Sequence, residues 1–140
     1  MTHLDTSFLV DLLREQRRQK FGPASEYLET LDEDETLAVS VHAVCELMAG
    51  ACLAGASSGE MRRLMRLCEA LVVRCPDEAF ALSYGRLLAG LNRAGRGIDA
   101  MDLLIATAAV ADGSPLVTRN ARHFSAIPGL VVIGYRTMPE

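Results

Sequence analysis

The sequence predicts an α/β fold, a doubly wound sandwich with a central, mostly parallel five-stranded sheet and helices on both faces. Two observations support this prediction. Short, nearly apolar strand segments alternate with helical patterns along the chain, as they do where a parallel sheet is buried on both sides. The 140 residues suffice for one core, and no linker, repeat or low-complexity run divides them. Residues 1–140 are therefore expected to form a single domain.

The first half of the chain is predicted to begin with a strand and to alternate between strands and helices. The elements in order are a strand at 2–4, a helix from Ser7 to the break at Gly22-Pro23, a helix at 24–31, a strand at 36–39, a helix from Ser40 to about Gly55, and a helix at 59–71. Ser7 and Ser40 each precede apolar residues at helical spacing, which is the position of an N-cap. Glycine and proline mark the helix ends.

The second half is predicted to supply three more strands and two long helices. The elements are a strand at 71–73, an amphipathic helix at 77–93, a helix from Asp99 or Ala100 through Val110, and strands at 115–118 and 130–133. The helix that follows Asp99 is apolar on nearly every side, so we expect it to be wholly buried. The connections between parallel strands are expected to be right-handed. In sheets of this type a functional site lies outside the carboxyl ends of the strands.

Composition and charge narrow the class of protein. Half of the residues are hydrophobic, only 5% are aromatic, and tryptophan is absent. The net charge of −4 argues against a protein that holds duplex DNA by bulk attraction. The first residues lack a basic stretch followed by an apolar run, and the apolar run after Asp102 is too short to cross a bilayer. We expect a soluble, cytoplasmic protein with no membrane association.

The four cysteines are expected to be small buried hydrophobes. Cys45 and Cys52 lie seven residues apart, as do Cys68 and Cys75, and no C-x-x-C pattern occurs. Seven residues correspond to two helical turns, so each pair is predicted to share a buried helix face. A structural zinc site is not indicated, and a cytoplasmic chain would keep the thiols reduced.

Acidic and amide side chains occur where predicted strands pass into helices or loops. They are Asp5 after the first strand, Glu46 early in the helix after the second, Asp99 and Asp102 at the start of the buried helix, and Thr118 and Asn120 after the fourth strand. In a doubly wound sheet these positions share one edge. Converging carboxylates repel one another unless a cation lies between them, so the pattern indicates a metal-dependent site. The helix dipole would explain Asp99 or Asp102 alone as a cap, but it does not explain Asp5 and Glu46.

Taken together, these segments resemble the PIN-domain ribonuclease toxins of the VapC type over essentially the full chain. The residues that carry the resemblance are Leu4-Asp5-Thr6-Ser7, Glu46-Leu47-Met48-Ala49-Gly50, the run from Gly97 to Ala108, the run from Leu116 to Phe124, and Ile127-Pro128-Gly129-Leu130. Each segment alone is a weak signal, whereas their order and spacing are specific.

The resemblance implies a role for each candidate site residue. Asp5 and Asp102 match the metal-binding aspartates of the family, and Glu46 matches its third acid. Thr118 and Asn120 match the polar end of the fourth strand, where many relatives have a fourth acid in place of Asn120. An amide is a neutral ligand, so a second ion would be held weakly and one tightly bound ion is expected. Asp99 remains a candidate for restoring part of the missing charge.

The activity that the resemblance implies is hydrolysis of internal phosphodiester bonds in single-stranded RNA. Oxygen ligands favour Mg²⁺, with Mn²⁺ as a possible substitute, and such an ion makes a protein nucleophile unnecessary. Five arginines are candidate contacts to the RNA backbone, although each is equally consistent with a solvated side chain: Arg14, Arg17, Arg18, Arg119 and Arg122.

The resemblance also implies partners. Relatives pair with a small VapB-type antitoxin, which would suit an apolar groove between the helices that carry Phe8 to Leu13 and Val44 to Leu53. A homodimer is expected, and DNA would be contacted only indirectly, through the antitoxin.

Two other interpretations are distinguished from this one by single residues. A catalytically weak PIN scaffold that binds RNA or protein is favoured only by Asn120. A phosphotransfer receiver domain would need a lysine near the last strands, and the only lysine is Lys20. His123 either contacts RNA or lies on the surface, while His3 and His42 are predicted to be structural.

Overall fold

The computed structural model describes residues 1–135, in which five strands form one sheet with the order β3-β2-β1-β4-β5. The strands are β1 (Thr2–Leu4), β2 (Leu37–Ser40), β3 (Val72–Arg74), β4 (Leu116–Thr118) and β5 (Val132–Gly134). Every pairing is parallel, and central β1 places His3 opposite Ala38 of β2 and Leu116 of β4. The predicted fold class is confirmed, although the sheet is wholly rather than mostly parallel. The predicted domain boundary at residue 140 lies outside the described residues.

Seven helices occur in the described residues, and they connect or follow the strands. They are α1 (Thr6–Arg18), α2 (Pro23–Glu29), α3 (Val41–Leu53), α4 (Ser58–Glu69), α5 (Glu78–Arg93), α6 (Ala100–Ala111) and α7 (Ala121–Phe124). Helix α6 packs against β2 and lies against both α3 and α5, which explains its nearly uniform apolar character. Its central residues Leu103 to Ala109 are buried apart from Leu104. Helix α1 packs against β4, α2 and α3.

A buried polar network holds the sheet to the end of α6. His3 is 1% exposed, and its Nε2 lies 2.7 Å from Asp112 Oδ2. Arg74 donates two further hydrogen bonds to the same carboxylate, from Nε at 3.0 Å and Nη2 at 2.9 Å. Burial lowers the pKa of His3, and the hydrogen bond with Asp112 offsets part of that effect. The structural role predicted for His3 is confirmed, since it joins β1 to Asp112 at the end of α6, and the same carboxylate binds Arg74 of β3.

His42 is also structural. Its backbone N–H donates to Ser40 Oγ at 3.1 Å, which confirms Ser40 as the N-cap of α3. Its ring stacks on Phe80 of α5 with 5.8 Å between the ring centroids.

Three local expectations were wrong. Asp5, not Ser7, occupies the N-cap position of α1; Ser7 lies inside the helix and is buried. The cysteines do not share buried helix faces, because Cys45, Cys52 and Cys75 are exposed and Cys68 is half-buried; all four are free thiols. Strand β3 is exposed along its length at the edge of the sheet, although a parallel sheet was expected to be buried on both sides. Within residues 1–135, no helix combines the length and apolar character that crossing a membrane requires.

Candidate active site

The carboxyl ends of β1 and β4 bring Asp5 and Thr118 together. Asp5 follows β1 and is 4% exposed, and Thr118 ends β4 and is fully buried. Asp5 Oδ2 accepts two hydrogen bonds, from Ser7 Oγ at 2.8 Å and from Thr118 Oγ1 at 2.7 Å. Both hydroxyl groups bind the same oxygen, so the carboxylate is held in one orientation. The Oδ1 atom accepts no hydrogen bond within the described part of the chain and is available to a cation.

Glu46 reaches the same region from the second turn of α3. Its Oε1 accepts a hydrogen bond of 2.7 Å from Thr6 Oγ1 in the first turn of α1. Because Thr6 directly follows Asp5, this bond brings the Glu46 carboxylate towards the end of β1. Glu46 is half-buried. The hydrogen bond therefore fixes part of a side chain that would otherwise be mobile in solvent.

Asp102 lies in the first turn of α6 and faces the other acids. Burial raises its pKa, and the carboxylates of Asp5, Asp99 and Glu46 raise it further, while His123 opposes them. The part of this shift that comes from Asp5, Asp99 and Glu46 indicates that their negative charges act on Asp102 at this edge. A cation between the carboxylates would relieve that repulsion.

Asp99 and His123 flank Asp102. Asp99 is the N-cap of α6, and its Oδ2 accepts a long hydrogen bond of 3.4 Å from the Asp102 backbone N–H. The cap interpretation of Asp99 is therefore correct, and its charge still acts on Asp102. His123 Nδ1 lies 3.8 Å from Asp102 Oδ2, with 65% of the histidine side chain exposed. His123 is thus a surface residue that borders the acids.

Asn120 contributes through its backbone. Its N–H donates to Thr118 Oγ1 at 3.0 Å, which orients the hydroxyl group that binds Asp5. The Asn120 side chain is exposed and does not cap α7, whose N-cap position it occupies. The structure therefore brings together Asp5, Glu46, Asp102 and Thr118, and it leaves the Asn120 amide at the rim.

Sequence reasoning missed three polar residues of α1. Thr6 holds Glu46, Ser7 holds Asp5, and Asp11 accepts a hydrogen bond of 2.7 Å from Arg119 Nη1. The available signal was the placement of Thr6, Ser7 and Asp11 on a helix otherwise buried through Phe8, Leu9 and Leu12, because a buried polar side chain needs a partner.

The donor chemistry fits a hard divalent cation. Carboxylate and hydroxyl oxygens predominate, and these suit Mg²⁺ or Mn²⁺. Among residues 1–135, no group of three or more His, Cys, Asp or Glu side chains is arranged so that it could hold a metal ion. Mg²⁺ does not require one, since it keeps several waters and is commonly held by one or two carboxylates. The oxygen donors at this edge are compatible with such an ion, and the assignment of Asp5, Glu46 and Asp102 as its ligands stays a prediction.

Comparison with known proteins identifies the family. The PIN-domain family profile matches residues 3–130. The chain is 34% identical over 132 residues to Ribonuclease VapC19 of Mycobacterium tuberculosis, covering 93% of this chain and 97% of that protein. It is 30% identical over 127 residues to Ribonuclease VapC1 of Haemophilus influenzae, covering 91% and 92%.

Solved structures agree with the sequence relatives. A chain in the crystal structure of VapBC2 from Rickettsia felis, bound to a DNA fragment from their promoter, superposes with a TM-score of 0.85. The two chains share 26% identity, and the match covers 96% of this chain and 98% of that one. A chain of VapBC-1 from nontypeable Haemophilus influenzae gives a TM-score of 0.82 at 27% identity, covering 96% and 97%. The chain therefore belongs to the PIN-domain family and, within it, to the VapC group.

Proposed function

We propose that this protein is a metal-dependent endoribonuclease that hydrolyses internal phosphodiester bonds of single-stranded RNA, as the toxin of a toxin–antitoxin pair. The observation that carries the proposal is the placement of acids from three separate elements at one edge of the sheet, where Ser7 and Thr118 hold Asp5 and Thr6 holds Glu46. Burial, and then the carboxylates of Asp5, Asp99 and Glu46, raise the pKa of Asp102 at the same edge. Relatives that carry the name ribonuclease match over almost the whole chain.

Asp5, Asp102 and Glu46 are the residues that would hold the ion, Mg²⁺ or alternatively Mn²⁺. When bound, it supplies an acidified water molecule and neutralises charge on the reacting phosphate. The chain's own contribution is orientation. Thr118 and Ser7 fix Asp5 so that one carboxylate oxygen stays free, and Thr6 fixes Glu46. Asn120 adds no charge, so one tightly held ion is the expected state.

The partner we propose is a VapB-type antitoxin, which would occupy a groove of about 290 Å³ between α1, α3 and α4. Its apolar lining consists of Val10, Leu13, Leu47, Gly50, Ala51, Ala54, Ala56 and Leu64. Glu46 lines the same groove, so a segment bound there would lie beside the proposed ion site. An amphipathic helix fits an apolar groove of this kind. DNA would be contacted through the antitoxin, as the net charge of −4 also favours.

Cleavage of unstructured RNA tests the enzymatic proposal. We expect cleavage with Mg²⁺ or Mn²⁺, none in EDTA, and recovery when the metal is restored. Asp5→Asn and Asp102→Asn should each reduce the rate at least about 100-fold, because removing one group that stabilises developing charge costs that much. Asp32→Asn is the matched control, since Asp32 is exposed and lies in the acidic segment before β2.

Full activity of both site variants, with unchanged far-ultraviolet circular dichroism, would contradict the proposal. RNA binding without cleavage in any metal would instead support the alternative, a PIN scaffold that does not cleave. Sedimentation of the isolated protein tests the proposed homodimer. Addition of the purified antitoxin should abolish cleavage, and an unchanged rate would overturn the proposed pairing.

A further inference from the structure

Asp11 is a buried carboxylate that the ion site does not use. It lies on α1 one helical turn after Ser7, and its side chain is 7% exposed. Asp11 Oδ1 accepts a hydrogen bond of 2.7 Å from Arg119 Nη1, and Oδ2 accepts one from the Tyr135 hydroxyl group. A buried carboxylate is costly unless it is paired, so its place beside the site calls for an explanation.

Arg119 is held at both of its ends, by the site at its backbone and by Asp11 at its side chain. Its backbone N–H donates to Ser7 Oγ at 3.1 Å, and Ser7 Oγ donates to Asp5 Oδ2. The backbone of Arg119 is therefore two hydrogen bonds away from the carboxylate proposed to hold the ion. At the other end Asp11 binds the guanidinium group.

The guanidinium group remains accessible although one of its nitrogens is bound. The Arg119 side chain is 34% exposed, and a guanidinium group has five N–H donors, of which the Asp11 contact uses one. The planar donors suit the oxygens of a phosphate. A pairing with a buried partner limits the directions in which the remaining donors can point.

The electrostatics of the site favour a contact between Arg119 and a phosphate. An RNA strand that approaches Asp5, Glu46 and Asp102 meets like charge, so neighbouring phosphates need a positive partner. Arg122 lies close in sequence and is also exposed, but its side chain has no ion pair within the described residues. Arg119 is a cation whose guanidinium group is held by Asp11 and whose backbone is bound to Ser7, whereas the exposed Arg122 side chain has no such anchor among the described residues.

We propose that Arg119 forms a subsite for an RNA backbone phosphate next to the bond to be cleaved, and that Asp11 is its positioning residue. The inference rests on the proposed ribonuclease function and names a contact within that same site. It assigns Arg119 a role different from that of the other arginines near the site.

Steady-state kinetics of RNA cleavage distinguish a specific phosphate subsite at Arg119 from a general effect of positive charge. Arg119→Gln should raise KM about 10-fold or more and change kcat less than about twofold, as expected when a charged hydrogen bond to bound substrate is lost. Arg122→Gln removes the same charge from the same edge and should leave KM within about twofold. Arg119→Lys should recover only part of the loss, because lysine cannot form two parallel hydrogen bonds.

The salt dependence of RNA binding measures how many phosphate contacts the protein makes. Binding of a fluorescein-labelled single-stranded RNA dodecamer is followed by anisotropy in EDTA, where cleavage does not occur. The slope of log K against log salt should fall by about 0.7 in Arg119→Gln, the value for one lost contact to a single strand, and stay unchanged in Arg122→Gln.

Asp11→Asn tests the positioning role, since asparagine keeps the shape and loses the charge. It should raise KM in the same direction as Arg119→Gln, and the double variant should be no worse than Arg119→Gln alone. Losses in KM that add up in the double variant would overturn the positioning role of Asp11. If Arg119→Gln and Arg122→Gln change KM equally while the unaltered protein cleaves RNA, the proposed subsite is overturned and the ribonuclease function is not. Failure of the unaltered protein to cleave RNA in any metal would remove the proposed function itself.

Discussion

Replacing Ser7 by alanine tests how the site is held together, because one hydroxyl group makes three contacts. Ser7 Oγ donates to Asp5 Oδ2 at 2.8 Å, accepts from the Arg119 backbone N–H at 3.1 Å, and lies 3.2 Å from Thr118 Oγ1. Ser7→Ala removes all three contacts and adds no atom that could clash.

The expected loss of stability in Ser7→Ala follows from these contacts. The bond to Asp5 involves a charged acceptor, and such bonds contribute about 1.5–3 kcal/mol, although Thr118 continues to donate to the same oxygen. The Arg119 N–H loses its acceptor at a partly buried position, where an unmade hydrogen bond costs about 1 kcal/mol or more. We therefore expect the free energy of unfolding to fall by about 2 kcal/mol. Because Asp5 is no longer held from this side, affinity for the ion should fall about 10- to 100-fold, as for other residues that orient a ligand.

Urea unfolding in EDTA measures the first effect, and calorimetric titration with Mn²⁺ measures the second. Ser125→Ala is the matched control, because its exposed hydroxyl group donates only to the Arg122 carbonyl oxygen. Ser7→Thr keeps the hydroxyl group and should retain most of the ion affinity. A Ser7→Ala protein within about 0.5 kcal/mol of the control, with unchanged Mn²⁺ affinity, would refute the orienting role.

Three further predictions concern residues around the site and the fold. Glu15 accepts hydrogen bonds from Gly22 N–H, Ala24 N–H and both donors of Ser25; burial would raise its pKa, but these bonds outweigh burial and lower it. The stabilisation by Glu15 is therefore present above the ordinary glutamate pKa and is lost as pH falls through the lowered value. Urea unfolding should show Glu15→Gln about 1–2 kcal/mol less stable than the unaltered protein at pH 7, and this difference should close in acid. A difference in stability that does not depend on pH would contradict this prediction. In Gly22→Ala the new Cβ would lie 2.6 Å from the Glu15 carboxyl carbon, so the melting temperature should fall by several degrees, whereas Gly90→Ala, in open space, should not lower it. Thr6→Val leaves Glu46 without its donor and should reduce kcat/KM about 10-fold with little change in stability; equal activity would show that Glu46 needs no orientation.

Much of the fold was predictable because hydrophobic pattern and period decide it. The uncharged run after Asp102 predicted a wholly buried helix. Helix α6 lies against β2, α3 and α5 and is buried at its centre, but Ala100 and Ala111 at its ends are exposed. The cysteine pairs show the limit of such reasoning. A spacing of seven indicates one helix face, but only tertiary packing decides whether that face is covered, and Cys45 and Cys52 lie on the uncovered side of α3.

The sequence could indicate which acids are candidates for the site, but not the hydrogen bonds that hold them. Asp5 and Glu46 stood out because each follows an apolar segment, and Asp102 stood out because it precedes a long uncharged run. The topology of a parallel sheet predicted that such positions share one edge. Ser7 looked like an N-cap because serine before an apolar stripe usually is one. Its hydroxyl group instead donates to Asp5 and accepts from the backbone N–H of Arg119, 112 residues away, and a contact of that range depends on which strands become neighbours. Asp11 and Arg119 are separated by a similar distance for the same reason.

The central claim is that Asp5, Glu46 and Asp102 share one divalent ion. Electron paramagnetic resonance of free Mn²⁺ during titration of the protein tests it without reference to RNA. The account predicts one tight site per chain, weakened at least about 10-fold in Asp102→Asn and in Asp5→Asn and unchanged in Asp32→Asn. Equal Mn²⁺ binding by all four proteins would contradict it.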